Sequence, residues 1–573
     1  MSKSIEVPKT ADAFSQSILD YLSLGVEAAR ARFNPDSGKF LAENGGWAVT
    51  NQDVIYPLAL LCVTPGSRHC GSQDILDMAF RGGDALRDCQ DDCGQVEFVK
   101  PDGSRWGKTF MCWSMYHWLQ AYDLLRDRLD ARRRRRWEDG LRLAYLGVMD
   151  ELGPEPRIHN IPCWHGMGLT RAGTLLGEPR MLEAGRMIIH RIVATQDPDG
   201  FWPEGGGPTT HYNLVYVHAA GLYYWFTGDE SVLPALERAT DFHLAFTYPD
   251  GSPVETVDGR VRHHGHVALM GLPGFAPFDR GRAYIRWMVD MARRHDPAGA
   301  LVPALVDVYR YCPKDQPDAQ APQQQTQYAH VHHGRAMVRR EGPWFYCLSG
   351  YLTATASLAS QVRNRWYLDR QNYLGVWHER AGLVVGGGNS RGGPQFSTFE
   401  VVQGRTIRIQ ADSAELDYKD GRDMLRLTYG PVVCEVAVSL LDGGRMAVSF
   451  RALSSGAAAR DGEGTVRANF SLPNLAGKAL SGPWRPDAAV LDPLATQELG
   501  WPAGTADSQR RLHLGALRID FPPDSEFSWP EYPFNPYAVN NVASPGAAVG
   551  VMTTTLAVGG EPKTFVLSVE DGA

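Results

Sequence analysis

The spacing of hydrophobic residues divides the chain into two parts. Between residues 11 and 294 apolar residues recur at helical spacing, and Phe14, Ile18 and Leu22 form one stripe of an amphipathic helix. The segment 110–129 is apolar on more than one face, which predicts a buried helix. Helices that end in glycine and are followed at once by new helices recur around residues 177 and 228. The pattern therefore predicts an array of helical hairpins.

The second part has the two-residue period of β-strands. The segment 312–327 is rich in proline and glutamine and lacks apolar periodicity, which predicts a linker. Beyond it, alternating runs are separated by glycine and aspartate turns, at 334–351, 405–416, 424–441 and 444–453. The predicted organisation is a helical domain at 1–311, a linker at 312–327 and an antiparallel β domain at 328–573.

Composition narrows the classes of partner. The chain has 573 residues and a net charge of -8, which argues against a nucleic-acid partner. No apolar stretch approaches the roughly 20 residues that a membrane span requires. The N-terminus lacks a secretion signal, so we expect a cytoplasmic protein, or a periplasmic or secreted one if this N-terminus results from processing. The nine cysteines are scattered, which favours free thiols.

The most informative stretch for chemistry runs from residue 199 to residue 218. Three glycines precede a predicted helix whose first turns carry His211, Tyr212, Tyr216 and His218. Glycines let a ligand approach the backbone closely, and a helix start directs its first side chains outward. The stretch therefore predicts either part of a substrate cleft or a tight loop between two core helices.

Other aromatic and basic side chains are candidate contacts for a sugar chain. Trp164 and Trp202 lie beside glycine, proline or histidine, and flat rings suit the apolar faces of sugars, although packing under a loop explains either ring equally well. The segment 258–266 carries five basic or imidazole side chains. We interpret Arg260, Arg262 and His264 as contacts for an acidic sugar rather than as metal ligands.

Helical hairpins followed by an all-β region resemble the polysaccharide lyases of the (α/α) toroid plus antiparallel β-sheet kind. These are the chondroitin, hyaluronate and xanthan lyases and the heparinase II/III-like group. The segments 159–177, 199–216 and 359–379 carry the resemblance. It implies an (α/α) toroid followed by an antiparallel β-sandwich. It also implies β-elimination on a uronic acid, in which the C5 proton is removed and the C4–O bond is cleaved.

The resemblance also implies roles for individual residues. Asn160 and His165 correspond to the groups that neutralise the uronic acid carboxylate. His211 corresponds to the base, and Tyr212 or Tyr216 to the base or the acid. The chemistry requires no metal or organic cofactor, and a structural metal in the β domain stays open.

Substrate contacts are implied on both sides of the linker. Glu204 accompanies the predicted catalytic helix, whereas Arg363, Arg365 and Asn372 lie early in the β domain, where these enzymes contact substrate. The planar guanidinium group suits a sugar carboxylate. The expected partner is an acidic polysaccharide or oligosaccharide.

Two other functions stay open at the level of sequence. An inverting glycoside hydrolase of the (α/α) toroid class would use a carboxylate pair drawn from Asp199, Glu204, Glu255 and Asp258. A non-catalytic protein could bind an acidic polysaccharide through the same groups. Only a lyase creates a conjugated double bond, so ultraviolet absorbance of the product distinguishes the three.

Overall fold

The chain forms two compact units. The computed structural model describes residues 12–42, 48–99, 104–153, 159–204, 207–259, 265–352, 372–386, 393–418, 422–455, 465–482, 485–495, 497–499, 510–535, 538 and 540–570. The helical unit comprises Met1–Trp202, Tyr212–Asp241 and Val267–Ala321. The sheet unit comprises Pro203–His211, Phe242–His266 and Pro322–Ala573.

Thirteen α-helices lie in the described residues. They are α1 (Ala13–Leu24), α2 (Val26–Arg32), α3 (Ile55–Val63), α4 (Gln73–Cys89), α5 (Cys112–Leu125), α6 (Ala131–Leu152), α7 (Asn160–Leu176), α8 (Pro179–Val193), α9 (Thr210–Thr227), α10 (Leu233–Ala245), α11 (Leu272–Phe275), α12 (Asp279–His295) and α13 (Pro303–Tyr311). None of them is long and apolar enough to cross a membrane.

Local sequence signals explain several helix ends. The carboxylate of Asp12 accepts hydrogen bonds from the first backbone N–H groups of α1, and Asp130 does the same for α6. Gly177 ends α7 in the left-handed conformation, with φ of 69°, and Gly228 follows α9 with φ of 71°. Both glycine stops were predicted from the sequence and are confirmed.

Helices α7 and α8 pack closely enough to require glycine. A Cβ atom on Gly185 would lie 2.4 Å from Thr170 Oγ1 and 2.5 Å from the backbone oxygen of Gly166. A side chain there would push the two helices apart. This contact therefore fixes α7, the helix that carries Asn160 and Trp164.

The predicted buried helix is α5. Most of its side chains are buried, including Met115, Trp118 and Leu119. The arginine run 132–136 lies on α6, where most of its side chains are exposed and several pair with aspartate or glutamate.

The β-strands form antiparallel sheets. They are β1 (Phe33–Asn34), β2 (Lys39–Phe40), β3 (Val96–Val99), β4 (Arg105–Thr109), β5 (Gln327–His332), β6 (Ala336–Glu341), β7 (Trp344–Ser349), β8 (Leu374–His378), β9 (Gly382–Val385), β10 (Phe399–Gln403), β11 (Thr406–Arg408), β12 (Ser413–Asp417), β13 (Asp423–Tyr429), β14 (Val432–Leu441), β15 (Arg445–Ser454), β16 (Thr465–Leu472), β17 (Ala479–Gly482), β18 (Arg485–Val490), β19 (Gln497–Leu499), β20 (Arg511–Leu514), β21 (Leu517–Asp520), β22 (Ser525–Glu531), β23 (Val549–Ala557) and β24 (Lys563–Val569).

Three large sheets make up most of the sheet unit. Their strand orders are β5-β6-β7-β8-β9, β11-β10-β16-β23-β22-β19 and β12-β13-β14-β15-β24-β21-β20-β17-β18. Phe450 of β15 stacks on Phe470 of β16 at 6.2 Å, and the ring of Phe470 meets that of Phe565 of β24 edge to face at 4.9 Å. Side chains of the six- and nine-stranded sheets therefore share one apolar core.

The segment 312–327, predicted as a linker, contains one short 3₁₀ helix, Pro322–Gln324, and no other regular structure before β5 begins. The boundary between the last helical segment and the sheet unit falls within it, after Ala321. The sheet unit also includes two segments from the first part of the chain, 203–211 and 242–266. The division into domains at 1–311 and 328–573 stays a prediction.

Candidate active site

A cluster of aromatic and imidazole rings lies among the helices of the helical unit. Trp164 of α7 stacks on His218 of α9, with ring centroids 5.0 Å apart and an angle of 18° between the planes. Trp113 of α5 meets Trp164 edge to face at 4.5 Å, and His117 lies 6.4 Å from the same ring. Trp113 is partly exposed, whereas Trp164 is buried. The cluster therefore reaches from the interior of the helical unit to its surface.

A buried carboxylate lies behind this cluster. Asp307 of α13 accepts hydrogen bonds from the hydroxyl groups of Tyr56 at 2.9 Å and Tyr116 at 2.8 Å, both on Oδ1. Its Oδ2 lies 3.1 Å from Nε2 of His218. Burial, and then the Asp307 charge, raise the pKa of each tyrosine well above its ordinary value, so both hydroxyl groups stay protonated and donate. The carboxylate therefore links α3, α5, α9 and α13.

The hydrogen bonds of His218 fix its tautomer. Nδ1 lies 3.1 Å from the backbone nitrogen of Gly271, and an N–H group can only donate, so Nδ1 must accept. The ring proton is then on Nε2, where it is donated to Asp307. Trp164 therefore stacks on an imidazole that is held at both nitrogens.

A second carboxylate lies beside the cluster, at the end of the 3₁₀ helix Val49–Val54. Asp53 Oδ1 accepts a hydrogen bond from Ser114 Oγ at 2.7 Å. Asp53 Oδ2 lies 3.2 Å from Nδ1 of His117. Ser114 and His117 are three residues apart on α5 and so face the same side of the helix. One face of α5 therefore holds both oxygens of this carboxylate.

The start of α9 is organised by an aspartate of the sheet unit. Asp258 is fully buried, and its Oδ2 accepts hydrogen bonds from the backbone nitrogen and the Oγ1 of Thr210, each at 3.0 Å. The backbone nitrogen of His211 donates to the same oxygen at 3.4 Å. A negative charge at this position stabilises the helix N-terminus. The ring of His211 lies 5.7 Å from that of His266.

Both predicted catalytic histidines have a lowered pKa. Burial, and to a lesser degree His159, lower the pKa of His165 to about 3. Burial and the neighbouring His266 lower the pKa of His211 to about 4, although the Asp258 charge opposes this. Neither imidazole therefore provides a positive charge at neutral pH.

The predicted catalytic residues differ in burial. Asn160 is the first residue of α7 and is buried, and Trp164 follows it by one helical turn, so both lie on one face of α7. Tyr212 is partly exposed. Tyr216 is fully buried and stacks on Trp202 at 5.2 Å, with 6° between the ring planes. Such a face-to-face buried pair is typical of core packing.

Of the predicted substrate contacts, Glu204 and Asn372 are both buried in the sheet unit. Asn372 Oδ1 accepts from the backbone nitrogen of Leu374 and from Thr398 Oγ1, each at 3.4 Å. Trp164 and Trp202 are buried as well. Five predicted contacts lie outside the described residues, namely Arg260, Arg262, His264, Arg363 and Arg365. In the part of the chain that the structure describes, no group of three or more His, Cys, Asp or Glu residues could hold a metal ion.

The structure adds residues that the sequence reasoning missed. Trp113 and His117 were hidden in a segment interpreted as a buried helix, and their spacing of four residues on one face was the available signal. Asp53 and Asp307 carry no local motif, because their partners are distant in sequence. The sequence places His218 on the predicted helix but indicates no role for it.

Comparison with known proteins gives the fold. No protein-family model matches the sequence, and no curated protein is similar to it. Heparinase III aligns with a TM-score of 0.53 and 11% identity over 99% of this chain and 86% of that protein. The chondroitin AC lyase of Streptomyces coelicolor A3, solved with chondroitin sulphate, aligns with a TM-score of 0.52 and 12% identity over 99% of this chain and 81% of that one.

A xanthan lyase from Paenibacillus aligns with a TM-score of 0.54 and 11% identity over 99% of this chain, but the match spans only 59% of that enzyme. Identities this low establish the fold and not the activity. The chain therefore has the fold shared by heparinase III, chondroitin AC lyase and xanthan lyase, which confirms the resemblance to the toroid-type polysaccharide lyases at the level of fold.

Proposed function

We propose that this protein is a lyase that cleaves a uronic-acid-containing polysaccharide or oligosaccharide by β-elimination. The observation that carries the proposal is the ring cluster of Trp113, His117, Trp164 and His218 in a chain with the fold of known lyases; Trp164 of this cluster is one helical turn from Asn160. Aromatic faces suit sugar rings, and imidazole groups suit proton transfer. We further propose that the helices form an (α/α) toroid and the larger sheets an antiparallel β-sandwich.

The first task of such a site is to hold the substrate carboxylate. We assign this task to Asn160 and His165, as the resemblance implies. The pKa of His165, lowered to about 3 by burial, supports a neutral imidazole that acts by hydrogen bonding rather than by charge. The proposal does not depend on a bound metal or organic cofactor.

The second task is proton transfer. The base removes the C5 proton, the electrons form the C4–C5 double bond, the C4–O bond breaks, and an acid protonates the departing oxygen. A neutral His211 can accept a proton, as its lowered pKa of about 4 permits. Of the two tyrosines we assign the proton-transfer role, as base or acid, to Tyr212, because it is partly exposed, whereas Tyr216 is buried against Trp202.

The test is a screen of uronic-acid polymers and their oligomers with two readings on each mixture. A lyase produces both new reducing ends and the ultraviolet absorbance of a conjugated double bond. Reducing ends without that absorbance would identify the alternative glycoside hydrolase. Tight binding without either signal would identify a non-catalytic binding protein. Either of these two outcomes would reject the lyase function.

A further inference from the structure

We infer that the C5 proton is removed by His117 rather than by His211, and that Asp53 is the residue that positions His117. The inference rests on the proposed lyase function and adds a residue that the resemblance does not supply. Three observations support it, namely the contacts of the Asp53 carboxylate, the packing of the His117 ring, and the contact of that ring with Trp164, which is one helical turn from Asn160.

The Asp53 carboxylate is set up to hold an imidazole. Ser114 Oγ donates to Oδ1 at 2.7 Å, which leaves Oδ2 facing Nδ1 of His117 at 3.2 Å. This separation is within ion-pair range, but the atoms are not yet aligned as a hydrogen bond. Catalytic contacts often tighten only when substrate binds. A carboxylate at Nδ1 favours the tautomer with the proton on Nδ1 and a free electron pair on Nε2.

The ring of His117 is held by aromatic neighbours. Tyr56 stacks on it at 6.1 Å with 19° between the planes, and Tyr116 and Trp164 contact it edge to face at 5.5 Å and 6.4 Å. Its side chain is 9% exposed. Within the described residues, Nε2 has no hydrogen-bond partner. The ring is thus fixed in direction, while the nitrogen that would accept a proton is not occupied.

The position of His117 on α5 is consistent with the proposed binding of the substrate carboxylate by Asn160. His117 and Trp113 are one turn apart on α5, and Trp164 and Asn160 are one turn apart on α7. The rings of Trp113 and His117 both contact the ring of Trp164. A sugar that packs on Trp113, the partly exposed ring, would bring its C5 proton toward the α5 face that carries His117.

The step balances with the groups that are present. Nε2 of His117 takes the C5 proton, and the imidazolium that forms is stabilised by the Asp53 carboxylate. The C5–H electrons form the C4–C5 double bond, the C4–O bond breaks, and the departing oxygen takes its proton from a second group, for which we assign the hydroxyl group of Tyr212. The other ionisable groups facing the ring are Tyr56 and Tyr116, which burial keeps neutral.

The test compares His117→Gln and Asp53→Asn with a matched control on the wild-type background. His190 provides the control, because its Nε2 lies 2.7 Å from Asp229 in a similar pair on the exposed side of α8. We expect His117→Gln to lower kcat on the order of 10²–10⁴-fold with little change in KM, the range for loss of a positioned proton acceptor. Asp53→Asn should lower kcat and change the pH profile of kcat/KM. His190→Gln should leave both unchanged.

A second measurement does not depend on activity. Nitrogen-15 NMR of histidine side chains in the wild-type protein reports which nitrogen of His117 carries the proton, and His117→Gln assigns the signal. A proton on Nδ1 supports the inference, and a proton on Nε2 in the neutral ring overturns it.

The outcomes separate the two proposals. An active wild type together with a fully active, folded His117→Gln would overturn the role of His117 and leave the lyase function standing. A wild type that cleaves none of the uronic-acid substrates would overturn the lyase function, and the role of His117 with it.

Discussion

The substitution Asp307→Asn tests whether the buried carboxylate organises the helical unit. Asparagine keeps the volume of the side chain but replaces one acceptor oxygen with an NH₂ group that only donates. If the amide oxygen stays at Oδ1, both tyrosine hydroxyl groups keep their acceptor. The NH₂ group then faces the Nε2–H of His218, and two donors meet.

His218 cannot resolve this conflict by moving its proton. A proton on Nδ1 would face the backbone N–H of Gly271 at 3.1 Å, so either tautomer loses one buried hydrogen bond. A hydrogen bond to a charged group contributes roughly 1.5–3 kcal/mol, and an unsatisfied buried donor costs about 1–3 kcal/mol. These terms overlap, so we expect the free energy of unfolding to fall by about 2–4 kcal/mol.

The assay is thermal and urea unfolding followed by the helical circular-dichroism signal, which arises mainly in the helical unit. Asp290→Asn on the exposed face of α12 is the matched control and should change stability by no more than about 0.5 kcal/mol. An Asp307→Asn variant as stable as this control would refute the reasoning, because three buried donors would then not depend on the carboxylate.

Three further predictions concern tyrosine function and pH. Tyr212→Phe should lower kcat on the order of 10²-fold or more at normal stability, whereas Tyr216→Phe should lose only about 1 kcal/mol of stability at normal turnover; the reverse pattern in kinetics and melting would exchange their roles. Folding lowers the pKa of His165 from an ordinary 6.5 to about 3, so below pH 6.5 the unfolded chain binds a proton that the folded protein does not, and the free energy of unfolding should decrease. In urea titrations this decrease should be smaller for His165→Gln, and an equal decrease in both proteins would contradict a neutral buried ring. Burial lowers the pKa of Lys314 from 10.5 to about 8, so the charged form is disfavoured in the folded protein and the free energy of unfolding should increase between pH 8 and pH 10.5. This increase should be smaller for Lys314→Met, and an equal increase in both proteins would argue against the lowered pKa.

Much of the fold could be predicted because its signals are local. The period of apolar residues predicted α1 and α5, and Gly177 and Gly228, which both adopt the left-handed conformation in the structure, predicted the ends of α7 and α9. The alternating runs after the linker correspond to strands β6 and β7 and to β11 through β15. The helix start that carries His211 and Tyr212 was also predicted correctly. Each of these depends on residues within a few positions of one another.

The site was harder to predict because its contacts are distant in sequence. Asp307 meets Tyr56 across 251 positions and Tyr116 across 191. No sequence signal distinguishes a buried tyrosine that binds a carboxylate from one that only fills the core. Conversely, Tyr216 was a candidate for catalysis and Trp202 a candidate for sugar binding, but the two rings stack on each other in the core.

The two hydrogen bonds that fix the imidazole of His218 have a consequence for the dynamics of the helical unit. Its Nε2 proton lies between the ring and Asp307 in a site where the histidine is 1% exposed and the aspartate fully buried. Water can reach that proton only if the helices around it separate, at least briefly. Its rate of exchange with solvent therefore measures the free energy of opening the interior of the helical unit, at a point in direct contact with Trp164.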